Sequence, residues 1–124
     1  MDNRKFDLED RLIDFAIRIS DVAESLPNTA LGNNIKGQII RSGTSPALNY
    51  GEAQSAESTN DFVHKIKIVL KELRETFVCL KIIKRKPLIT PESKISPIFE
   101  ENNELISIFV KSVETAKKNN IKKK

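Results

Sequence analysis

From Phe62 to Leu80, apolar residues recur at Phe62, Ile66, Val69, Leu73, Phe77 and Leu80. The steps are four, three, four, four and three, which line one face of an α-helix. Ser58 stands ahead of the run as an N-cap, with Asp61 three residues on, a weaker form of the capping box. The pattern predicts a helix to about Arg85, ~40 Å long at 1.5 Å per residue. A helix of that length with a full apolar stripe has to be covered by others. The rest of the chain supplies three.

The first is predicted from about Asp7 to Ser25, with Leu8, Leu12, Phe15, Ile19, Val22 and Leu26 on one seam. Phe6, Ile13 and Ile17 form a second apolar set on the opposite side. That set faces either a second neighbour within the bundle or another subunit. Leu26-Pro27-Asn28-Thr29 ends this helix, and Asn28 or Thr29 caps the next.

The second helix carries Ile35, Ile39, Ser42, Gly43, Pro46, Tyr50 and Ala53 on one face. Most are small, so a neighbouring backbone is expected to approach closely. Pro46 is expected to kink it and free the Ser42 carbonyl. A break follows between Gly51 and Ser58, unless the helix persists to Ala56.

The fourth helix is expected to start with Thr90 as cap and Pro91 in its first position, with Pro97 making the first turns irregular. Ile95, Ile98, Phe99, Leu105, Ile106, Phe109, Val113 and Ala116 point inward, and Asn102 falls within that stripe. A buried asparagine there selects register or oligomeric state; a slightly rotated helix leaves it at the edge. The fold class that follows is all-α: an antiparallel up-down four-helix bundle over residues 1–116, its second helix kinked at Pro46. Residues 117–124 are expected to be a basic, disordered tail.

Several kinds of chemistry are poorly supplied. One histidine, His64, and one cysteine, Cys79, argue against a zinc site and against a Cys–His nucleophile. Glu100, Glu101 and Glu104 lack the Glu-x-x-His partner of carboxylate-bridged metal bundles. Gly43 and Gly51 are isolated, so no phosphate-cradling loop is present. No enzyme, cofactor or metal is therefore expected. No apolar run reaches the ~20 residues of a membrane span. Met1-Asp2-Asn3-Arg4 does not open a signal peptide, so the expected location is cytoplasmic.

The net charge is +4. Five basic residues from Lys117 onward account for it, since the other 16 face 17 acidic ones. Within the body, Lys67, Lys71, Arg74, Lys81 and Arg85 share a sector of roughly 80° at 100° per residue, interrupted by Val78. Such a stripe either contacts a phosphate backbone or is a solvated face neutralised by Glu72, Glu75 and neighbouring helices. A polar stripe on the second helix, Arg41, Ser45, Asn49 and Glu52, is either solvated or a buried network. Asp61, Lys65, Glu72 and Thr76 on the third helix are placed to face it.

The run Arg41-Ser42-Gly43-Thr44-Ser45, then Asn49-Tyr50-Gly51-Glu52-Ala53, resembles the bacterial 23S rRNA-intervening sequence proteins. So do Ala56-Glu57-Ser58, Asp61-Phe62, Lys65, Leu70 to Thr76, Asn103-Glu104-Leu105-Ile106 and Thr115-Ala116-Lys117. Pro46-Ala47-Leu48 departs from the family's more usual Val-Gly-Ala, and Val78-Cys79 from its aromatics. The resemblance implies an up-down four-helix bundle that assembles into a homo-oligomeric ring, often a pentamer, with a largely undefined role. A related branch resembles the accessory protein of diversity-generating retroelements, a basic pentameric barrel that partners a reverse transcriptase and binds nucleic acid. Two readings follow. One is a homo-oligomeric scaffold associated with RNA or DNA. The other is a protein-interaction module that docks through Phe6, Ile13 and Ile17 and the polar seam.

Overall fold

The computed structural model describes the backbone of residues 4–123 and the side chains of residues 8–119. It holds four helices: α1 (Arg4–Glu24), α2 (Ala30–Gln54), α3 (Thr59–Arg85) and α4 (Ser96–Lys123). No strand occurs among the described residues. Each helix packs on its sequence neighbours and α4 closes the bundle against α1. Short connections leave consecutive helices antiparallel.

The boundaries follow from local chemistry. Thr29 is extended, and its Oγ1 accepts from the Gly32 N–H at 3.0 Å, so Thr29 rather than Asn28 caps α2. A side chain at Gly32 would run into the Pro27 carbonyl oxygen, so this tight turn requires glycine. Ser58 caps α3 by accepting from the Asp61 N–H at 3.0 Å, as the capping spacing predicts. Lys84 and Arg85 in the last turn of α3 complement the negative end of its dipole.

The start of α4 differs from the sequence expectation. A 3₁₀ turn spans Glu92–Lys94 and the α-helix begins at Ser96, not at Pro91. Pro97 has no N–H for the Ser93 carbonyl, which costs a hydrogen bond inside a helix and costs none in the first turn, where it sits when the helix begins at Ser96. Ile89 and Ile95 are buried and fasten this connection to the core. At its other end α4 continues past Ala116 to Lys123, through residues that include neither proline nor glycine.

The core holds Leu12, Phe15 and Ile19 from α1, and Ile35, Ile39 and Tyr50 from α2. Ile66, Leu73 and Leu80 come from α3, and Ile98, Leu105 and Phe109 from α4. Tyr50 meets Phe109 edge to face at 5.8 Å. The buried face of α2 contains each residue assigned to it from periodicity, and Gly32 besides. Pro46 lies on that face, and α2 is helical on both sides of it. Phe62 and Phe77 of the periodic α3 run are only half-buried.

Asn102 is fully buried rather than at an edge, and its Nδ2 donates to the Leu73 carbonyl at 3.1 Å. Its Oδ1 has no hydrogen-bond partner among the described residues.

Candidate nucleic-acid interface and polar seam

The polar patterns of the sequence meet different fates. Those on facing sides of α2 and α3 join. Arg41 of α2 reaches over α3, donating from Nη1 to Glu72 at 2.9 Å and from Nη2 to Glu75 at 2.8 Å. Glu72 is only 7% exposed, and a buried carboxylate needs such a partner. The hydrogen bond donated to Glu75 and the field of Glu72 push the Arg41 guanidinium up, so it stays charged. The Thr76 hydroxyl lies 2.8 Å from the Ser42 hydroxyl and 2.9 Å from the Glu72 carbonyl. A carbonyl only accepts, so Thr76 donates to it and accepts from Ser42. Lys65 and Glu52 extend the seam at 3.5 Å.

Ser45 and Asn49 do not cross it. The Asn49 amide donates to the Ser45 carbonyl at 3.0 Å and hydroxyl at 2.8 Å, within its own helix. A second charged fork ties α1 to α4. Arg11 donates from Nε and Nη2 to Glu101 at 3.1 and 2.7 Å, and Glu104 lies 3.3 Å away. The α4 carboxylates Glu101 and Glu104 are thereby committed to structure.

Both acidic residues expected to neutralise the α3 stripe therefore face Arg41 instead. Lys67, Lys71, Arg74 and Arg85 are exposed, and none pairs with a carboxylate among the described residues. Lys81 is half-buried. Its ammonium sits 4.7 Å over the Phe77 ring, which packs on Phe99 at 4.6 Å. The sequence reading missed one member. Lys117 on α4, assigned there to a separate tail, depresses the Lys67 ammonium by like-charge repulsion. The pairing of α3 with antiparallel α4 brings the two cations together, a proximity that spacing within either helix does not reveal. The stripe thus widens onto a second helix.

Ile13 and Ile17 are exposed on the outside of α1. The Phe6 side chain, assigned to the same set, lies outside the described residues. His64 is exposed and Cys79 is buried. Among the described residues no three His, Cys, Asp or Glu side chains converge to hold a metal ion. No helix among them is long and apolar enough to cross a membrane.

Burial, with a smaller contribution from Glu75 and opposition from Arg41, pushes the Cys79 thiol up. A folded chain that favours the protonated thiol gains stability below the ordinary thiol pKa. That contribution is lost as pH rises through the folded value. At pH 8 the native chain is expected to react with a disulfide reagent about tenfold or more slower than the urea-unfolded chain. Equal rates in the two states would contradict the buried position.

The family model for 23S rRNA-intervening sequence proteins matches residues 4–111. Among solved structures, a protein of unknown function from the S23 ribosomal protein family of Bacteroides thetaiotaomicron VPI-5482 is similar to this chain. The two are 31% identical, with a TM-score of 0.75 over 86% of this chain and 97% of that one. No curated protein matches the chain.

Proposed function

The chain belongs to the 23S rRNA-intervening sequence protein family, and from that premise we propose that it is a cytoplasmic, homo-oligomeric scaffold that holds a nucleic acid by its phosphates. It carries out no chemical step. The observation that supports this reading most is the release of the α3 stripe from neutralisation. Arg41 occupies Glu72 and Glu75, and Arg11 occupies Glu101 and Glu104. Lys67, Lys71 and Arg74 are left facing solvent, with Lys117 beside Lys67. Several phosphate contacts of this kind give sequence-independent binding that weakens with salt. In a ring, the pentamer that the resemblance implies, each copy repeats the stripe, and avidity makes weak contacts additive.

The test is a titration of a structured ribosomal RNA fragment and a random duplex at several salt concentrations. The joint Lys67→Ala, Lys71→Ala and Arg74→Ala chain is expected to bind more weakly. Its slope of log affinity against log salt should be shallower by about one unit for each phosphate that it no longer neutralises. An unchanged slope would move the binding surface elsewhere. Absence of binding by the unaltered chain at low salt would leave the protein-interaction reading, in which the exposed α1 face and the polar seam dock proteins only.

A further inference from the structure

The outer surface carries two apolar features that differ in shape and in charge. The first is a ridge on α1. Ile13 is 45% and Ile17 58% exposed, one helical turn apart. Asp10 and Glu24 fall within roughly 40° of the ridge's centre at 100° per residue, and both are exposed. The two cations of this stretch turn away from it. Arg11 is bound to Glu101, and Arg18 lines a hollow with Ile98 of α4.

The second feature is a groove between the first half of α2 and the second half of α3. Leu31, Val78 and Ile82 line it, with Ile35 and Cys79 in its wall, and its volume is about 430 Å³. It continues into a neighbouring hollow of about 410 Å³ whose polar edge is Lys81, Arg85 and Lys86. Val78 is 53% exposed and stands one turn from Ile82, the same spacing as Ile13 and Ile17 on the ridge. The carboxylate at the groove, Glu75, is already bound to Arg41. The groove therefore presents a positive rim and the ridge a negative flank.

We infer that the Ile13–Ile17 ridge of one copy seats in the Leu31–Val78–Ile82 groove of a second copy, so that copies join head to tail. Rows at i and i+4 on one helix pack between such rows on another. The charges select this arrangement over a face-to-face dimer. Ridge against ridge opposes carboxylates, and groove against groove opposes cations, whereas ridge in groove opposes unlike charges. A head-to-tail contact leaves each copy one free ridge and one free groove, and so builds a closed ring or a filament. It covers Lys81 and Arg85 and leaves Lys67, Lys71 and Arg74 open. The inference rests on the homo-oligomer reading and goes further by naming which two surfaces meet.

Native mass spectrometry of the full chain, alone and in mixtures, tests it. The unaltered chain should be larger than a dimer. Ile17→Asp, which spoils only the ridge, and Val78→Asp, which spoils only the groove, should each run as a single 14.0 kDa chain. Both sites are exposed, and unchanged helical circular dichroism verifies folding. Mixed, the two variants should form a one-to-one dimer that grows no further, because only one good ridge and one good groove remain between them. As a second route, Lys81→Glu with Arg85→Glu should lower the mass, and adding Asp10→Lys with Glu24→Lys should restore it. Several outcomes overturn the inference. Both single variants keeping the original mass would do so while leaving the homo-oligomer reading intact. A monomeric Ile17→Asp chain beside an unaffected Val78→Asp chain would place ridge on ridge. An unaltered chain that is monomeric would remove the inference and the homo-oligomer reading together.

Discussion

Asn102→Asp is expected to lose roughly 3–5 kcal/mol of stability at neutral pH, the range for an uncompensated buried charge. Asn102 is fully buried, and its amide donates to the Leu73 carbonyl at 3.1 Å. An ionised carboxylate has no hydrogen to donate, so it sets a charge against that carbonyl while both lose water. The substituted acid therefore has a folded pKa above the ordinary ~3.9 of aspartate. A raised acid pKa gives stability that is present below the unfolded value and lost as pH rises through the folded one. Below about pH 4, where the neutral acid can donate to Leu73 as the amide does, most of the loss should be recovered. Urea unfolding at pH 7 and at low pH measures this directly, and a loss independent of pH would show that the charge reaches water.

Asn102→Leu should behave in the opposite way. The Asn102 Oδ1 has no partner among the described residues, so leucine removes an unsatisfied acceptor along with one hydrogen bond. A stability change within about 1 kcal/mol of zero, of either sign, is expected. What the leucine chain gives up is a buried donor that ties α4 to one level of α3, the register role for which a buried polar residue is suited.

The helices were legible because helix formation is largely local. The α3 stripe, the Ser58–Asp61 cap and the small face of α2 each depend on residues a few positions apart, and each is found where the pattern puts it apart from the half-buried Phe62 and Phe77 of the stripe. The partners of Glu72 and Glu75 were not fixed in the same way. Each stands between the basic stripe and the side toward α2, and the choice depends on the rotation and level of two helices, since Arg41 lies 31 residues from Glu72 and 34 from Glu75. The same reason hid Lys117 beside Lys67. The start of α4 was misplaced because two prolines, Pro91 and Pro97, each suit a first helical turn, and only the second is followed by uninterrupted helix. The exposed Ile13 and Ile17 were legible as a second apolar face, but a single chain's periodicity does not say what covers it.

Gly43→Ala is expected to lose roughly 1–3 kcal/mol, although alanine is the better helix former by about 1 kcal/mol. A Cβ at Gly43 would overlap Cγ2 of Ile19 on α1 and lie 2.9 Å from its Cβ. Ile19 is fully buried and β-branched, so neither its backbone end nor its rotamer can give way cheaply. The helices have to separate, and the surrounding core packs less closely. Gly37 and Gly51, in the same helix, have nothing within 4 Å of an added Cβ. There the propensity term acts alone, and Gly37→Ala and Gly51→Ala should each gain about 0.5–1 kcal/mol. Thermal or urea unfolding of the three variants separates close approach from helix propensity by sign. A double-mutant cycle assigns the clash to its partner, because Ile19→Leu removes the Cγ2 branch. Combined with Gly43→Ala, it should cost less than the two single changes summed. Simple additivity would mean that the alanine is accommodated elsewhere and that α1 does not set the approach distance at Gly43.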